Sequence, residues 1–328
     1  MLSGSLVERL LDPVPPELFV AEHWDQQRAL RIPGAPGQLD GFYSPADLSA
    51  LLDAVASGRK QLPMRAYAGE QRRVNPLDAA VGRSRVIRGY SGAPDVPIGH
   101  VDEWLVAGGS VVLVKMGEAD EKIAALEAGL RDELSYPGAM DTTGFVSARG
   151  AGFFGFHFDA EPSITLQLHG EKTWYLAETP AVRWPRGSAR IMPDGSPQYH
   201  FRSPAAAWEE LQFRPDEIRE VVLKGGDRLF LPAGAWHRVV ASTDAGSISF
   251  VVKFYAVPAD GVCPAVAVEE LANDPSWRHL PISWPPYRGP GLAPRTREFY
   301  RNRLDLIERW MRTREEAATV TETRTAAD

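Results

Sequence analysis

The pattern of apolar and polar positions divides the chain into a helical first part, a strand-rich middle and a helical last part. Between residues 143 and 255, short stretches rich in β-branched and aromatic residues alternate with turn residues; examples are SITLQLHG, KTWYLAE and SISFVVKFYA. This close spacing is typical of an antiparallel sandwich or barrel. The β-branched stretch GSVVLVKM (109–116) predicts a further strand before that region.

Apolar residues at spacings of three and four predict amphipathic helices on both sides of the strands. One is SPADLSALLDAVASG, which opens with Ser44 as a suitable N-cap, and another is ADEKIAALEAGLRDELSYPG, which ends at Pro137. Residues 265–280 are also predicted to be helical. A last helix is predicted over about 295–316, with an apolar face made of Tyr300, Leu304, Ile307 and Met311. The polar TVTETRTAAD that follows is expected to be frayed.

Residues 61–100 are rich in arginine, glycine and proline, which predicts loops or a lid. Six arginines lie from Arg65 to Arg88. They form either a solvated face or a surface that binds an acidic substrate, and Arg72, Arg73 and Arg83 are the candidates for the second role.

Composition narrows the classes of function. The chain has 328 residues and a formal net charge of −7, which argues against nucleic acid as the main partner because phosphate binding requires a basic surface. With Cys263 as its one cysteine, it can form neither an intrachain disulfide nor a thiolate zinc cluster. No apolar stretch approaches the length of a membrane span, and no signal peptide is recognised, so a cytoplasmic location is expected.

The candidate chemistry starts with His157-Phe158-Asp159. Residues two apart in a strand point to the same face, so the imidazole and the carboxylate can meet inside a barrel. A second motif, GDRLFLPAGAWHRVV, predicts a tight turn that presents His237 at the start of a strand. Two histidines and one carboxylate form a facial triad that suits Fe(II) and leaves positions open for a cosubstrate and oxygen. Taken alone, His-x-Asp is a weak signal, and a hydrogen-bonded histidine at a strand end is the more common explanation of such a motif.

Lys172 is the third feature, at the start of the predicted strand KTWYL. A buried lysine is unfavourable unless it meets an anion, so Lys172 either extends its ammonium to the surface or binds an anion inside the barrel.

Together these features resemble the JmjC-type cupins, the Fe(II)- and 2-oxoglutarate-dependent oxygenases. The resemblance implies a mainly β double-stranded β-helix (cupin, or jelly-roll) barrel with helical N- and C-terminal additions. It implies that His157, Asp159 and His237 hold Fe(II), and that Lys172, fifteen residues after His157, pairs with the distal carboxylate of 2-oxoglutarate. By position, Ser163 and Lys253 are expected near the cosubstrate.

The segment PPELFVAEHWDQQRALRIPG (15–34) is similar to the opening of the ribosomal oxygenase group, in which a Phe-x-x-x-x-Trp helix precedes a short strand. Two departures from that group are evident. Only about 70 residues follow the predicted barrel, where the group has a winged-helix domain, and Phe145 stands where a tyrosine is usual. The expected division is an N-terminal region (1–108), a barrel (109–257), a helical segment (258–316) and a disordered tail (317–328).

The resemblance implies an oxygenase that uses Fe(II), 2-oxoglutarate and O2 to hydroxylate an amino-acid side chain in a protein, peptide or biosynthetic intermediate, with release of succinate and CO2. Two alternatives stay open: a metal cupin enzyme that works without 2-oxoglutarate, and a non-catalytic cupin that senses a ligand. Neither nucleic acid nor membrane is expected as a partner, and the C-terminal helices suggest a homodimer.

Overall fold

The structure, a computed structural model, consists of two antiparallel sheets that face each other, with helices packed on one of them. It describes residues 4–67, 101–106, 108–151, 155–185, 187–192, 194–199, 211–241, 246–255 and 275–325. The predicted functional arginines Arg72, Arg73 and Arg83 lie outside these ranges, as do Cys263 and most of the helix predicted at 265–280.

The helices of the described ranges lie mainly at the two ends of the chain. They are α1 (Leu6–Leu11), α2 (Pro16–Leu18, continued by a π-helical turn at Phe19–Trp24), α3 (Pro45–Ala56), α4 (Val101–Val106), α5 (Met116–Ala119), α6 (Glu121–Glu133), α7 (Pro275–Arg278) and α8 (Pro294–Thr325). Among them, no helix is both long and apolar enough to cross a membrane. The Ser44 hydroxyl caps α3 by accepting from the Asp47 backbone N–H, as the sequence predicts.

Two sheets contain the strands of the described ranges. The larger, sheet A, has the order β1-β11-β6-β13-β4-β3-β2, and the smaller, sheet B, has the order β10-β7-β12-β5-β8-β9. The strands are β1 (Leu30–Ile32), β2 (Met64–Tyr67), β3 (Ser110–Leu113), β4 (Met140–Ser147), β5 (His157–Phe158), β6 (Ser163–His169), β7 (Glu171–Ala177), β8 (Ala189–Ile191), β9 (Pro197–Tyr199), β10 (Ile218–Lys224), β11 (Arg228–Leu231), β12 (His237–Ala241) and β13 (Ser247–Phe254).

The central strands of sheet A are buried on both faces, and the two faces differ in polarity. Ile164, Leu166 and Leu168 of β6 belong to the main hydrophobic core, together with Phe250 and Val252 of β13. That core also contains α1, α2, α3 and α6, so the helices cover the outer face of sheet A. The alternate positions of the same strands face sheet B, because successive side chains of a strand point to opposite sides.

The opposite, inward face of sheet A carries buried polar residues. They are Ser163, Thr165 and Gln167 on β6, Ser247, Ser249 and Lys253 on β13, and Thr143 on β4. Leu229 and Leu231 of β11 pack across the interior against Trp174 and Leu176 of β7, which closes one side of the barrel with apolar contacts. The interior is therefore apolar on one side and polar where sheet A faces the ends of β5, β7 and β12.

The N-terminal segment is fastened to the barrel through Asp227. Its buried carboxylate accepts hydrogen bonds from the Arg31 guanidinium and from the backbone N–H groups of Gly34 and Lys224. Burial alone raises the pKa of Asp227, but these donors outweigh burial and lower it. Trp24, fully buried, donates its indole N–H to the Leu280 carbonyl and so joins the same segment to the C-terminal part.

Several features depart from the sequence expectations. The predicted loop region at 61–100 contains β2, an edge strand that pairs with β3, and Arg65 on it is buried rather than solvated. The short strands β8 and β9 were not predicted either. The C-terminal helix continues to Thr325 instead of ending near 316, and neither proline nor glycine interrupts it there. The barrel itself, with its helical additions, agrees with the prediction.

Candidate metal and anion site in the barrel

The two histidines that the sequence singles out are direct neighbours in sheet B. His237, the first residue of β12, is in register with His157 of β5, and their ring centroids lie 4.2 Å apart. The turn before β12 is joined to the residue that follows β5, because the Gly234 N–H donates to the Asp159 carbonyl at 2.9 Å. Gly234, at φ +78, also allows a close approach to the Val182 carbonyl. His237 is buried and also stacks on the Trp174 indole, with centroids 5.7 Å apart.

Both imidazoles are held in the form that binds a metal. The Nδ1 atoms of His157 and His237 lie 3.0 Å from the carbonyl oxygens of Gly155 and Ala235, respectively. A carbonyl only accepts, so each Nδ1 carries the proton and each Nε2 keeps its lone pair. Burial lowers the pKa of both rings, to about 3 for His237, so both are neutral near pH 7. Neutral imidazoles with Nε2 lone pairs are the nitrogen donors that divalent metals require.

The carboxylate of Asp159 lies near the histidines but is engaged by a lysine. Lys253 Nζ donates to Asp159 Oδ2 at 2.9 Å, and the lysine side chain is 8% exposed. Burial would raise the pKa of Asp159, yet the Lys253 ammonium and the imidazoles outweigh burial and hold this pKa well below its usual range. Asp159 is close enough to act electrostatically on both imidazoles.

The predicted three-ligand set is thus only partly assembled. Within the described residues, no group of three histidine, cysteine, aspartate or glutamate side chains is arranged to hold a metal ion. The donor types fit a divalent metal: two neutral imidazoles side by side and one ionised carboxylate next to them. The residue types of His157, Asp159 and His237 therefore fit a divalent metal. Asp159, the third of them, is held away from the two histidines by its ion pair with Lys253.

Lys172 lies at the other end of the interior as a buried cation. It is 5% exposed, and its Nζ donates to Ser249 Oγ at 2.8 Å and lies 5.3 Å from the centre of the Phe145 ring. Burial lowers the pKa of Lys172 to about 7 and is the sole cause of this shift, so no carboxylate of the described residues offsets it. The alternative that Lys172 reaches the surface is wrong.

Two other predicted residues of the cavity have different surroundings. Ser163 is buried on the inward face of sheet A, in register with Lys253. Lys253 itself bonds Asp159, so its expected place beside the cosubstrate stays a prediction. Trp236, the neighbour of His237 in the sequence, packs against Phe158 in a separate hydrophobic cluster.

Ser249 and the ring of Phe145 were not identified as site residues from the sequence. A signal is present: in SISFVVKF, the strand β13, polar residues occur at alternate positions among apolar ones, at Ser247, Ser249 and Lys253. In a strand buried on both faces, such alternation marks a polar interior. The pattern within β13 does not identify the partner of Ser249, because that partner, Lys172, lies on the other sheet.

The barrel region of this chain is similar in sequence to a known domain family. Residues 130–259 match the model of the JmjC domain, which covers the barrel strands from β4 to β13. Ribosomal oxygenase 1 of Gallus gallus is 27% identical over 296 residues, which is 88% of this chain and 44% of that protein. The uncharacterized protein YxbC of Bacillus subtilis is 29% identical over 161 residues, 47% of this chain and 46% of that protein. The chain thus spans less than half the length of these two relatives.

Among solved structures, the ribosomal oxygenase YcfD of Escherichia coli in complex with cobalt and 2-oxoglutarate matches 91% of this chain and 67% of that chain. Its TM-score is 0.47, at 17% sequence identity. The fold and the domain match define a JmjC-type barrel with helical additions. Residues 130–259 match the JmjC domain and the chain is similar in sequence to ribosomal oxygenase 1, so the predicted resemblance to the JmjC-type cupins is confirmed.

The unpaired charge of Lys172 leads to a prediction about stability. Lys172→Met removes a buried ammonium while keeping much of its volume, and we expect the free energy of unfolding to rise by about 1 to 4 kcal/mol. The folded pKa is depressed to about 7 from the ordinary 10.5. The gain is therefore largest below pH 7, where the buried lysine is charged, and shrinks as the pH rises towards 10.5.

Urea unfolding near pH 6 and near pH 9 measures this difference. Lys224→Met is the matched control, because the Lys224 side chain is 69% exposed on β10. A loss of stability in Lys172→Met at the lower pH would contradict the prediction.

Proposed function

We propose that this protein is an Fe(II)- and 2-oxoglutarate-dependent oxygenase that hydroxylates an amino-acid side chain. The observation that carries the proposal is the buried ammonium of Lys172, which faces the same interior as the His157–His237 pair. A buried cation is unfavourable without an anion, and burial lowers the pKa of Lys172 with no carboxylate of the described residues to offset it. A small anion that binds Lys172 and also reaches a metal on the two histidines would compensate the charges at both ends of the interior. 2-Oxoglutarate is such an anion, because it has a carboxylate at each end.

In this proposal Fe(II) is held by His157, His237 and Asp159. When bound together, the metal, 2-oxoglutarate and O2 supply an oxidant that places one oxygen atom in a C–H bond of the substrate. The other oxygen atom enters succinate, and CO2 is released. The protein orients both imidazoles through the Gly155 and Ala235 carbonyls and covers His237 with the Trp174 ring, which limits the access of water.

The nature of the substrate is the less constrained part of the proposal. The names of two relatives support an amino-acid side chain within a protein. One is ribosomal oxygenase 1, and the other is the Dictyostelium discoideum protein called bifunctional lysine-specific demethylase and histidyl-hydroxylase NO66, 29% identical over 115 residues. Phe145 in place of the usual tyrosine and the partial coverage of these relatives leave free, peptide and carrier-bound amino acids as further candidates. The cytoplasmic location stays a prediction.

An anaerobic titration tests the proposed class. Fe(II) is added to the full chain, then 2-oxoglutarate, and the visible charge-transfer band of the chelate is recorded. We expect a band with the wild type and none with His157→Ala. Lys172→Ala should weaken 2-oxoglutarate binding about 10- to 100-fold, because a hydrogen bond to a charged group contributes about 1.5 to 3 kcal/mol.

The matched control is His169→Ala, since His169 is exposed at the end of β6 and lies outside the interior. Bound iron without a band in the wild type would contradict the proposal and favour a cupin that works without 2-oxoglutarate. A band without succinate release, under air and with a panel of peptides, would favour a ligand-sensing cupin.

A second prediction concerns the competition between Lys253 and the metal for Asp159. A divalent ion bound to the far side of that carboxylate lies roughly 5 Å from the ammonium, and at an effective dielectric of about 20 the repulsion is about 7 kcal/mol. Lys253 also holds the carboxylate of Asp159 in place, but this contributes less to metal affinity. A 10- to 100-fold effect on affinity corresponds to about 1.4 to 2.7 kcal/mol. We therefore expect Lys253→Met to bind Mn(II) at least tenfold more tightly than the wild type.

Electron paramagnetic resonance of free Mn(II) measures this affinity directly. Lys224→Met again serves as the control, because it removes an exposed lysine far from the histidines. Weaker Mn(II) binding by Lys253→Met would mean that the lysine positions Asp159 more than it repels the metal.

The dimer expected from the sequence is also a proposal. Leu304 and Met311 of α8 lie two turns apart and are 60% and 51% exposed, so one apolar face of this helix is open to solvent. We expect Leu304→Glu together with Met311→Glu to lower the molar mass from that of a dimer to that of a monomer. Light scattering after size-exclusion chromatography measures the mass, with the exposed Arg301→Glu as control. A monomeric wild type would refute the proposal.

A further inference from the structure

The histidine pair belongs to one row of residues that crosses the inward face of sheet B. From β7 to β9 the row is Leu176, His237, His157, Arg190 and Gln198, each in register with the next. Directly opposite residues of paired strands have their side chains on the same face of the sheet. Arg190 of β8 is therefore the neighbour of His157 on the side away from β7, the strand that carries the buried lysine.

Exposure to solvent increases along this row. Leu176 and His237 are 3% and 5% exposed, His157 is partly buried, and Arg190 and Gln198 are exposed. A cosubstrate that extends from the two histidines towards β7 occupies the buried side of the row. A second molecule therefore reaches the histidines from the open side, where Arg190 lies.

The packing of β8 fixes the face on which Arg190 lies. Its neighbours Ala189 and Ile191 point to the other face, where Ala189 is fully buried in a cluster with Phe158 and Trp236. Successive side chains of a strand alternate between the two faces. Arg190 thus cannot leave the histidine side unless its neighbours leave that cluster.

The hydrogen bonds of the β5–β8 ladder place Arg190 close to His157. The Ile191 N–H donates to the Phe156 carbonyl at 2.8 Å, so His157 and Arg190 form the adjacent, non-hydrogen-bonded pair. Opposite side chains are closer in such a pair. Within the described ranges, neither a hydrogen bond nor an ion pair engages the Arg190 side chain. The row therefore continues from the histidines to a guanidinium that is fixed at its backbone and open to an anion.

We propose that Arg190 binds a carboxylate of the substrate and so holds the C–H bond to be oxidised beside the histidine pair. This inference rests on the proposed function and deepens it by naming the substrate class. A guanidinium donates two parallel hydrogen bonds to a carboxylate, which fixes the orientation of the bound molecule as well as its position. The carboxylate is either the α-carboxylate of a free amino acid or the side chain of an aspartate or glutamate in a peptide.

The test compares carboxylates with the corresponding amides as ligands of the full chain loaded with Mn(II) and 2-oxoglutarate. Calorimetric titration without turnover uses two sets of probes. The first is the free L-amino acids with their α-amides, and the second is the N-acetyl amides of aspartate and glutamate with those of asparagine and glutamine. We expect the wild type to bind at least one carboxylate 10- to 100-fold more tightly than its amide, because hydrogen bonds to charged groups are the stronger ones. The set in which this occurs identifies the source of the carboxylate.

Variants of Arg190 assign the preference to this residue. Arg190→Gln should abolish the preference for the carboxylate, while the affinities for Mn(II) and 2-oxoglutarate stay unchanged. Arg190→Lys keeps the charge but not the paired donors, so it should retain part of the preference. The matched control is Arg219→Gln, because Arg219 is an exposed arginine that continues the same row at its other end, in register with Leu176.

The outcomes separate this inference from the proposed function. If the wild type binds 2-oxoglutarate but binds no carboxylate more tightly than its amide, the inference is overturned while the proposed function stands. A preference that persists in Arg190→Gln, or that Arg219→Gln loses to the same extent, also overturns it. A wild type that binds no 2-oxoglutarate overturns both.

Discussion

The barrel can hold a polar interior because the central strands of sheet A bury an apolar face elsewhere. Ile164 and Leu166 on β6, with Phe250 and Val252 on β13, pack under the N-terminal helices, and this outer core is the larger source of hydrophobic stabilisation. The inward positions of the same strands are thereby free to carry serine, threonine, glutamine and lysine. Trp24 and Asp227 keep the helical layer attached, so the site depends on residues far from it.

The two lysines in the barrel interior differ in how their buried charge is compensated. Lys253 is paired with Asp159 at 2.9 Å, so its charge is offset within the protein. Lys172 has a hydroxyl and an aromatic ring instead of a carboxylate, and its pKa falls to about 7. Lys253 and Ser249 lie on one strand roughly 13 Å apart along the chain. The interior thus has a compensated lysine near the histidine pair and a lysine without a carboxylate partner at its other end.

The sequence predicted the parts of this arrangement that depend on local pattern. Alternation within a strand placed His157 and Asp159 on one side, and the glycine-containing turn placed His237 at the start of β12. Register between strands that are distant in sequence is a non-local property, so neither the His157–His237 pairing nor the edge strand β2 followed from periodicity alone. The ion pair of Asp159 with Lys253 and the hydrogen bond of Lys172 with Ser249 each connect the two sheets. These contacts could therefore be identified only from the folded structure.

Phe145, which departs from the pattern that the resemblance implies, also affects the electrostatics of the interior. Phe145 carries no hydroxyl, so the ammonium of Lys172 has the quadrupole of an aromatic ring on one side. A ring face attracts a cation but stabilises it less than a carboxylate does, so the lysine retains its need for an anion. Had the chain provided an internal carboxylate there, as it does for Lys253, the cation would be satisfied and the interior closed to an anionic ligand. The unfavourable burial of Lys172 is thus the feature that the proposed anionic ligand would offset.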